Sequence, residues 1–128
     1  MPTTPKSTPA LAGEDMMFFS KIVVSTIADN KTADNITQDE SDLLGVMTRI
    51  FILHLDGITP TSEVVMKSCG IPPSKLKRIY EQLSKANLLR RLDVPPLKHK
   101  GRMFVYDFTP ELLERITKLK SASGVKKT

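Results

Sequence analysis

"GIPPSKLKRIYEQLSKANLLRR", residues 70 to 91, opens on a glycine and two prolines and then mixes cations with regularly spaced apolar residues. Leu76, Ile79, Tyr80 and Leu83 recur at i, i+3, i+4 and i+7, the spacing of one buried stripe on an α-helix. Pro73 suits the first helical position, because its missing N–H would have no intrahelical partner there and its φ is already set. Asn87 suits the stop, being the non-glycine residue that best tolerates a left-handed backbone. The spacing therefore predicts a helix over 73–87. It turns Ser74, Lys75, Lys77, Arg78, Glu81, Gln82 and Lys85 outward.

Upstream, "TPTSEVVMKSCG" predicts a short helix capped by Thr61 and ended by Gly70, with Val65, Met66 and Cys69 on one face. Only Gly70-Ile71-Pro72 separates it from the basic helix, which is the arrangement of a helix-turn-helix. Downstream, 88–94 and 102–108 read as strands, the second alternating Phe104, Tyr106 and Phe108. Between them "PPLKHKG" is the tip of a hairpin. Thr109-Pro110-Glu111 then supplies the cap, first-position proline and acidic first turn of a last helix, with Leu112, Leu113, Ile116 and Leu119 on its apolar face.

Two helices are expected ahead of this unit. Over 14–28, Met16, Phe18, Phe19, Ile22, Val23 and Ile27 share one wide arc of a helical wheel, and Asn30 to Ile36 reads as a polar connection. Thr37 and Glu40 have the Thr-x-x-Glu spacing of a capping box. Leu43, Leu44, Val46, Met47, Ile50, Phe51, Leu53 and Leu55 then give a central helix closed by Asp56-Gly57. So wide an arc on the first helix suggests packing against a second copy, and docking on the chain's own core explains it almost as well.

The 128 residues suffice for one modest core, and with no Trp that core must come from Leu, Ile, Val, Met and the five Phe. The Pro/Thr-rich stretch 1–13 reads as a disordered leader, 14–120 as the domain and 121–128 as a flexible basic tail. Residues 1–60 hold four Lys/Arg against eight Asp/Glu, net −4, and 61–128 hold fifteen against six, net +9. That polarity points to one face for a polyanion and another kept away from it. No apolar run reaches the roughly 18 residues of a membrane span, and no secretory signal is legible, so the chain is expected in the cytoplasm, away from membranes. The lone Cys69 fits a reducing compartment.

Taken together the elements run helix, helix, short helix, basic helix, hairpin, helix: mainly α with a small β-hairpin. In this order the chain resembles the winged helix-turn-helix transcription regulators of the MarR and related kinds. The likeness covers about Glu14 to Lys120, with its detail in "TSEVVMKSCGIPPSKLKRIYEQLSKANLLRRL" and in "FVYDFTPE". The chain departs from that pattern in having Pro72 where a small hydroxyl residue follows Gly-Ile, Asn87 in place of Gly, and Arg102 alone of the wing's Asp-x-Arg. The resemblance implies double-stranded DNA as partner, a homodimer, and N- and C-terminal dimerisation helices meeting through Phe18, Phe19, Ile22, Val23, Ile27, Leu113 and Ile116.

A helix with such an outward face suits the major groove. Lys75, Lys77, Arg78 and Lys85 can reach guanine or phosphate, Gln82 can pair with adenine, and Ser74 can take a phosphate. Lys98, His99, Lys100 and Arg102 at the wing would reach the neighbouring backbone or minor groove. An architectural or DNA-segregation adaptor would use the same residues, whereas a protein-interaction module would set the basic face against an acidic partner. The leader is open to a protein partner. His54 and His99 lack ligand spacing, and no catalytic set or phosphate-binding glycine loop is legible, so neither an enzyme nor a metal or other cofactor is expected.

Overall fold

The structure, a computed structural model, describes residues 11–92 and 105–122. After a 3-10 turn at Gly13–Asp15, the described elements are α1 (Met16–Thr32), α2 (Glu40–Leu55), α3 (Ser62–Cys69), α4 (Pro73–Lys85), β1 (Leu89–Leu92), β2 (Val105–Phe108) and α5 (Pro110–Ala122). The chain is thus mainly α with one small antiparallel hairpin, in the order the sequence predicts. Leu89 faces Phe108, Arg90 faces Asp107, Arg91 faces Tyr106 and Leu92 faces Val105. Thr61, just ahead of α3, bridges to Val105 as well, which ties the end of the paired strands where Leu92 faces Val105 to the start of the α3–α4 pair.

The helix ends obey local chemistry. Thr61 Oγ1 accepts the Val64 N–H at 3.3 Å, and Gly70 closes α3 at φ 68°. Pro73 stands at the first position of α4. At its other end Asn87 takes φ 61°, donating its N–H to the Ser84 carbonyl while the Leu88 N–H reaches Leu83. This is a Schellman stop, with Leu83 and Leu88 both buried in the core. α2 ends in the same way over Gly57 and Ile58. Thr109 Oγ1 accepts from the Leu112 N–H and donates to the Asn87 carbonyl, so one hydroxyl caps α5 and fastens it to the end of α4.

One core joins all the helices. Phe19 lies at its centre, with ring centroids 4.6 Å from Phe51 of α2 and 5.2 Å from Phe108 of β2. Phe18, Ile22, Val23, Ile27 and Ile116 are buried in that core, and Leu113 packs against it half-buried. These are the side chains expected at a dimer contact, and within the single chain Phe19, Val23 and Ile27 are already at 0% exposure, as docking on the chain's own core requires. The wide arc is wide because α2 lies against one side of α1 and α5 against another.

Other boundaries move for identifiable reasons. α1 runs four residues past 28, to Thr32, and Ile36, in the supposed polar connection, is a buried core residue. The Thr37–Glu40 capping box does not form: α2 starts at Glu40, and Thr37 is engaged elsewhere. Leu11, assigned to the leader, packs against the core, and Asp15 accepts the Ala12 N–H at 2.9 Å. Lys120 of α5 closes on this turn, 2.9 Å from Asp15 and 3.3 Å from Glu14, while Arg115 donates to Thr26 Oγ1 at 2.9 Å.

Candidate nucleic-acid interface

α4 is the most sharply two-faced helix of the fold. Leu76, Ile79, Tyr80 and Leu83 are buried, while Ser74, Lys77, Arg78, Glu81 and Lys85 are exposed. On a helix these five fall on one side, opposite the apolar stripe. Three cations and one hydroxyl thus share a surface with one acid.

Two residues expected on that face are turned aside. Lys75 lies 3.2 Å from Asp42 of α2. Gln82 is committed more fully: its Oε1 accepts the N–H groups of Thr37 and Gln38 at 2.9 and 2.8 Å, and its Nε2 donates to Thr37 Oγ1 at 3.1 Å. Both sit on the flank of α4 that meets α2 and the α1–α2 connection. The acidic first half of the chain is accordingly not held wholly apart from the basic helix, since Asp42 sits directly beside it.

Sequence reasoning missed Arg90 and Arg91, both exposed on β1 immediately after α4. The signal was present in the Arg-Arg pair of "LLRRL". Of the remaining expected contacts, Lys98, His99, Lys100 and Arg102 lie outside the described residues.

The other flank of α4, toward the hairpin, borders a cavity of about 590 Å³ lined by residues of α3, α4, β1 and β2. Tyr80 and Tyr106 stack beside it with centroids 4.2 Å apart and planes inclined by 21°. Burial pushes the Tyr80 phenol well above its ordinary range, with Cys69 and Tyr106 adding in the same direction. Cys69 is half-buried, and burial raises its thiol too, partly offset by the Arg49 charge. A raised thiol pKa makes for a poor nucleophile.

His54 of α2 meets Asp107 of β2 at 2.6 Å and stacks on Phe108, with ring centroids 5.3 Å apart. Asp107 also accepts the Phe108 N–H at 2.7 Å, so the pair fixes the hairpin to the end of α2. Among the described residues no three His, Cys, Asp or Glu side chains are grouped to hold a metal, and no helix is long and apolar enough to cross a membrane. Compared with family models, with curated proteins and with solved structures, the chain matches none.

Proposed function

We propose that this chain is a winged helix-turn-helix protein that binds double-stranded DNA and regulates transcription, with α4 entering the major groove. The observation that carries the reading is the exposed face of α4, where Ser74, Lys77, Arg78 and Lys85 stand opposite a fully buried stripe, continued by Arg90 on the next strand. A helix seated on its core and carrying exposed cations can fit a groove while its phosphate contacts set orientation. The Thr61–Val105 bridge supports the winged part of the proposal, because it gives the hairpin a defined position relative to α4. Lys75 and Gln82 are not carried forward as base readers. Their side chains have partners within the fold, and reaching DNA would mean giving those up. Nor does the proposal rest on a dimer formed through the buried face of α1.

The test is fluorescence anisotropy of a labelled random-sequence duplex across a salt series, for the wild type and for Lys77→Ala/Arg78→Ala. The proposal expects a log K against log salt slope of several units in the wild type, shallower by about two in the double variant. Absence of binding at low salt overturns it. Saturation that spreads along a long duplex with no protected site would favour the architectural or segregation role over a regulator.

A further inference from the structure

α2 turns Leu43, Met47, Ile50 and Phe51 into the core, and along its outer side Ser41, Gly45, Thr48, Ile52 and Leu55 form a stripe without a charge. These five recur in alternate steps of four and three residues, the spacing of a seam between two helices. Ser41, Gly45 and Leu55 are exposed, and Thr48 and Ile52 are half-buried. Leu55 keeps 41% of its surface, and Ile58, just past the helix, keeps 44%. Gly45 is the odd member, since glycine inside a helix is unfavourable relative to alanine. Among the described residues no atom lies within 4 Å of the place its Cβ would take, so packing within the chain does not call for a glycine there. Beside Ser41 and Gly45 the surface sinks into a hollow of about 290 Å³, with Asp42 and Arg49 on its wall.

We infer that this stripe pairs with the same stripe of a second copy of the chain, the two α2 helices running antiparallel. Reversal matches large with small. With Gly45 opposite the partner's Thr48, Ile52 falls on the partner's Ser41 beside the hollow, and Ser41 receives the partner's Ile52. The absent Cβ of Gly45 then lets the two backbones approach closely, which is the reason for glycine that the single chain lacks. The same register brings opposite charges together at the edge of the seam. Arg49, which has no carboxylate partner among the described residues, faces the partner's Asp42, and two-fold symmetry repeats the pair. Asp42 meets Lys75 through Oδ2, which leaves Oδ1 for this contact. A parallel pairing would set Ile52 on Ile52 and bring neither charge to an opposite. Lys77, Arg78 and Lys85 lie on another helix and take no part, so the pairing is independent of duplex binding.

The experiment is sedimentation equilibrium of the full chain over a concentration series, without DNA. A monomer–dimer equilibrium is expected, with the dissociation constant raised at least about tenfold in Gly45→Leu and in Ile52→Asp. Gly45→Leu places its side chain in space that the single chain leaves open, so its helical circular dichroism should be retained while the close approach is blocked. Should Ile52→Asp fail to fold, Gly45→Leu carries the comparison. Arg49→Asp should weaken the dimer, and Asp42→Arg/Arg49→Asp should restore it. Orientation is read by mixing Ser41→Cys with Ile52→Cys chains, both carrying Cys69→Ser, and oxidising them in air. The antiparallel register expects a disulfide-linked dimer from the mixture and little from either chain alone. A chain that stays monomeric up to millimolar concentration overturns the inference. So does a dimer that Gly45→Leu and Ile52→Asp leave intact, or one that links each cysteine variant to itself in preference to the other.

Discussion

Gln82 holds Thr37 by both ends of its amide: the oxygen takes the Thr37 backbone N–H at 2.9 Å and the nitrogen gives to the Thr37 hydroxyl at 3.1 Å. The two residues are 45 apart in sequence, and the bond pair spans from the basic helix to the connection between α1 and α2. With Gln38 N–H also bound, one side chain meets three polar groups that no local turn supplies.

Replacing this side chain should register in stability before it registers in recognition. Gln82→Ala should lower the unfolding free energy by about 1–2 kcal/mol, since it strips partners from a partly exposed loop rather than from a sealed core. Urea unfolding measures that loss. In duplex titrations of the same variant, an unchanged preference among sequences is expected, and a lost preference for one adenine would show instead that Gln82 leaves Thr37 to read a base.

Phe19 offers the sharpest test of the packing. Phe19→Ala should cost about 3–5 kcal/mol, as it removes a ring wedged between Phe51 and Phe108. Phe19→Asp should leave the chain unfolded by circular dichroism. A folded monomeric Phe19→Asp protein would mean that the ring faces a second subunit after all.

On the proposed duplex-binding reading, the cations of α4 should differ in what they contribute. Arg78→Ala or Lys85→Ala should each reduce the salt slope by about one, whereas Lys75→Ala, already paired with Asp42, should reduce it by less. Salt series on the three single variants distinguish the cases. Equal losses would place Lys75 on phosphate.

Asn87 fixes how α4 hands over to β1. Asn87→Ala forces a side chain without a local polar partner into a left-handed backbone and should cost about 1 kcal/mol, while Asn87→Gly should be neutral or slightly stabilising. Thermal melts of both variants read this directly. A neutral alanine would mean that the turn relaxes.

Alkaline pH should report on the burial of Tyr80. The folded-state pKa of Tyr80 lies above its ordinary 10.0 because burial disfavours the phenolate. Its neutral form therefore contributes stability that is fully present below pH 10 and declines as pH rises toward the folded-state value, since the unfolded chain releases the proton first. Lys120, raised above 10.5 by Asp15 and Glu14, acts with the same sign in the same range. In an ultraviolet phenolate titration Tyr80 should ionise only together with loss of helical signal. Ionisation of Tyr80 in a chain that stays folded would contradict its burial.

Much of this architecture was legible because the deciding signals are local. The proline at the start of α4, Asn87 at its end, and Thr61 and Thr109 as caps are each readable within four residues, and the i, i+3, i+4, i+7 stripe names the buried face of α4 without any tertiary information. What failed was long-range. A helical wheel sorts residues into inward and outward, but Lys75 and Gln82 occupy the border of the stripe, where a neighbouring element decides. Thr37 looked like a cap because its Glu is correctly spaced, and a glutamine from another helix competed for it. The arc of α1 is legible as buried, yet hydrophobicity does not say whether the cover comes from the same chain. Arg90 and Arg91 lie on β1, beyond the reach of the helical spacing that marks the outward face of α4.

The clasp between the first and last helices also bears on the order in which this chain is assembled during synthesis. The Lys120–Asp15 contact joins residues 105 apart and the Arg115–Thr26 bond residues 89 apart, almost the full span of the described fold. α1 leaves the ribosome early, and α2 can shelter part of its apolar surface soon afterwards. The part that belongs to Ile116 and Leu112 stays wet until the final helix has emerged. For that interval the nascent chain carries an uncovered greasy stripe, so its yield in a cell should depend on how fast translation completes α5 and on chaperones that shield α1 meanwhile.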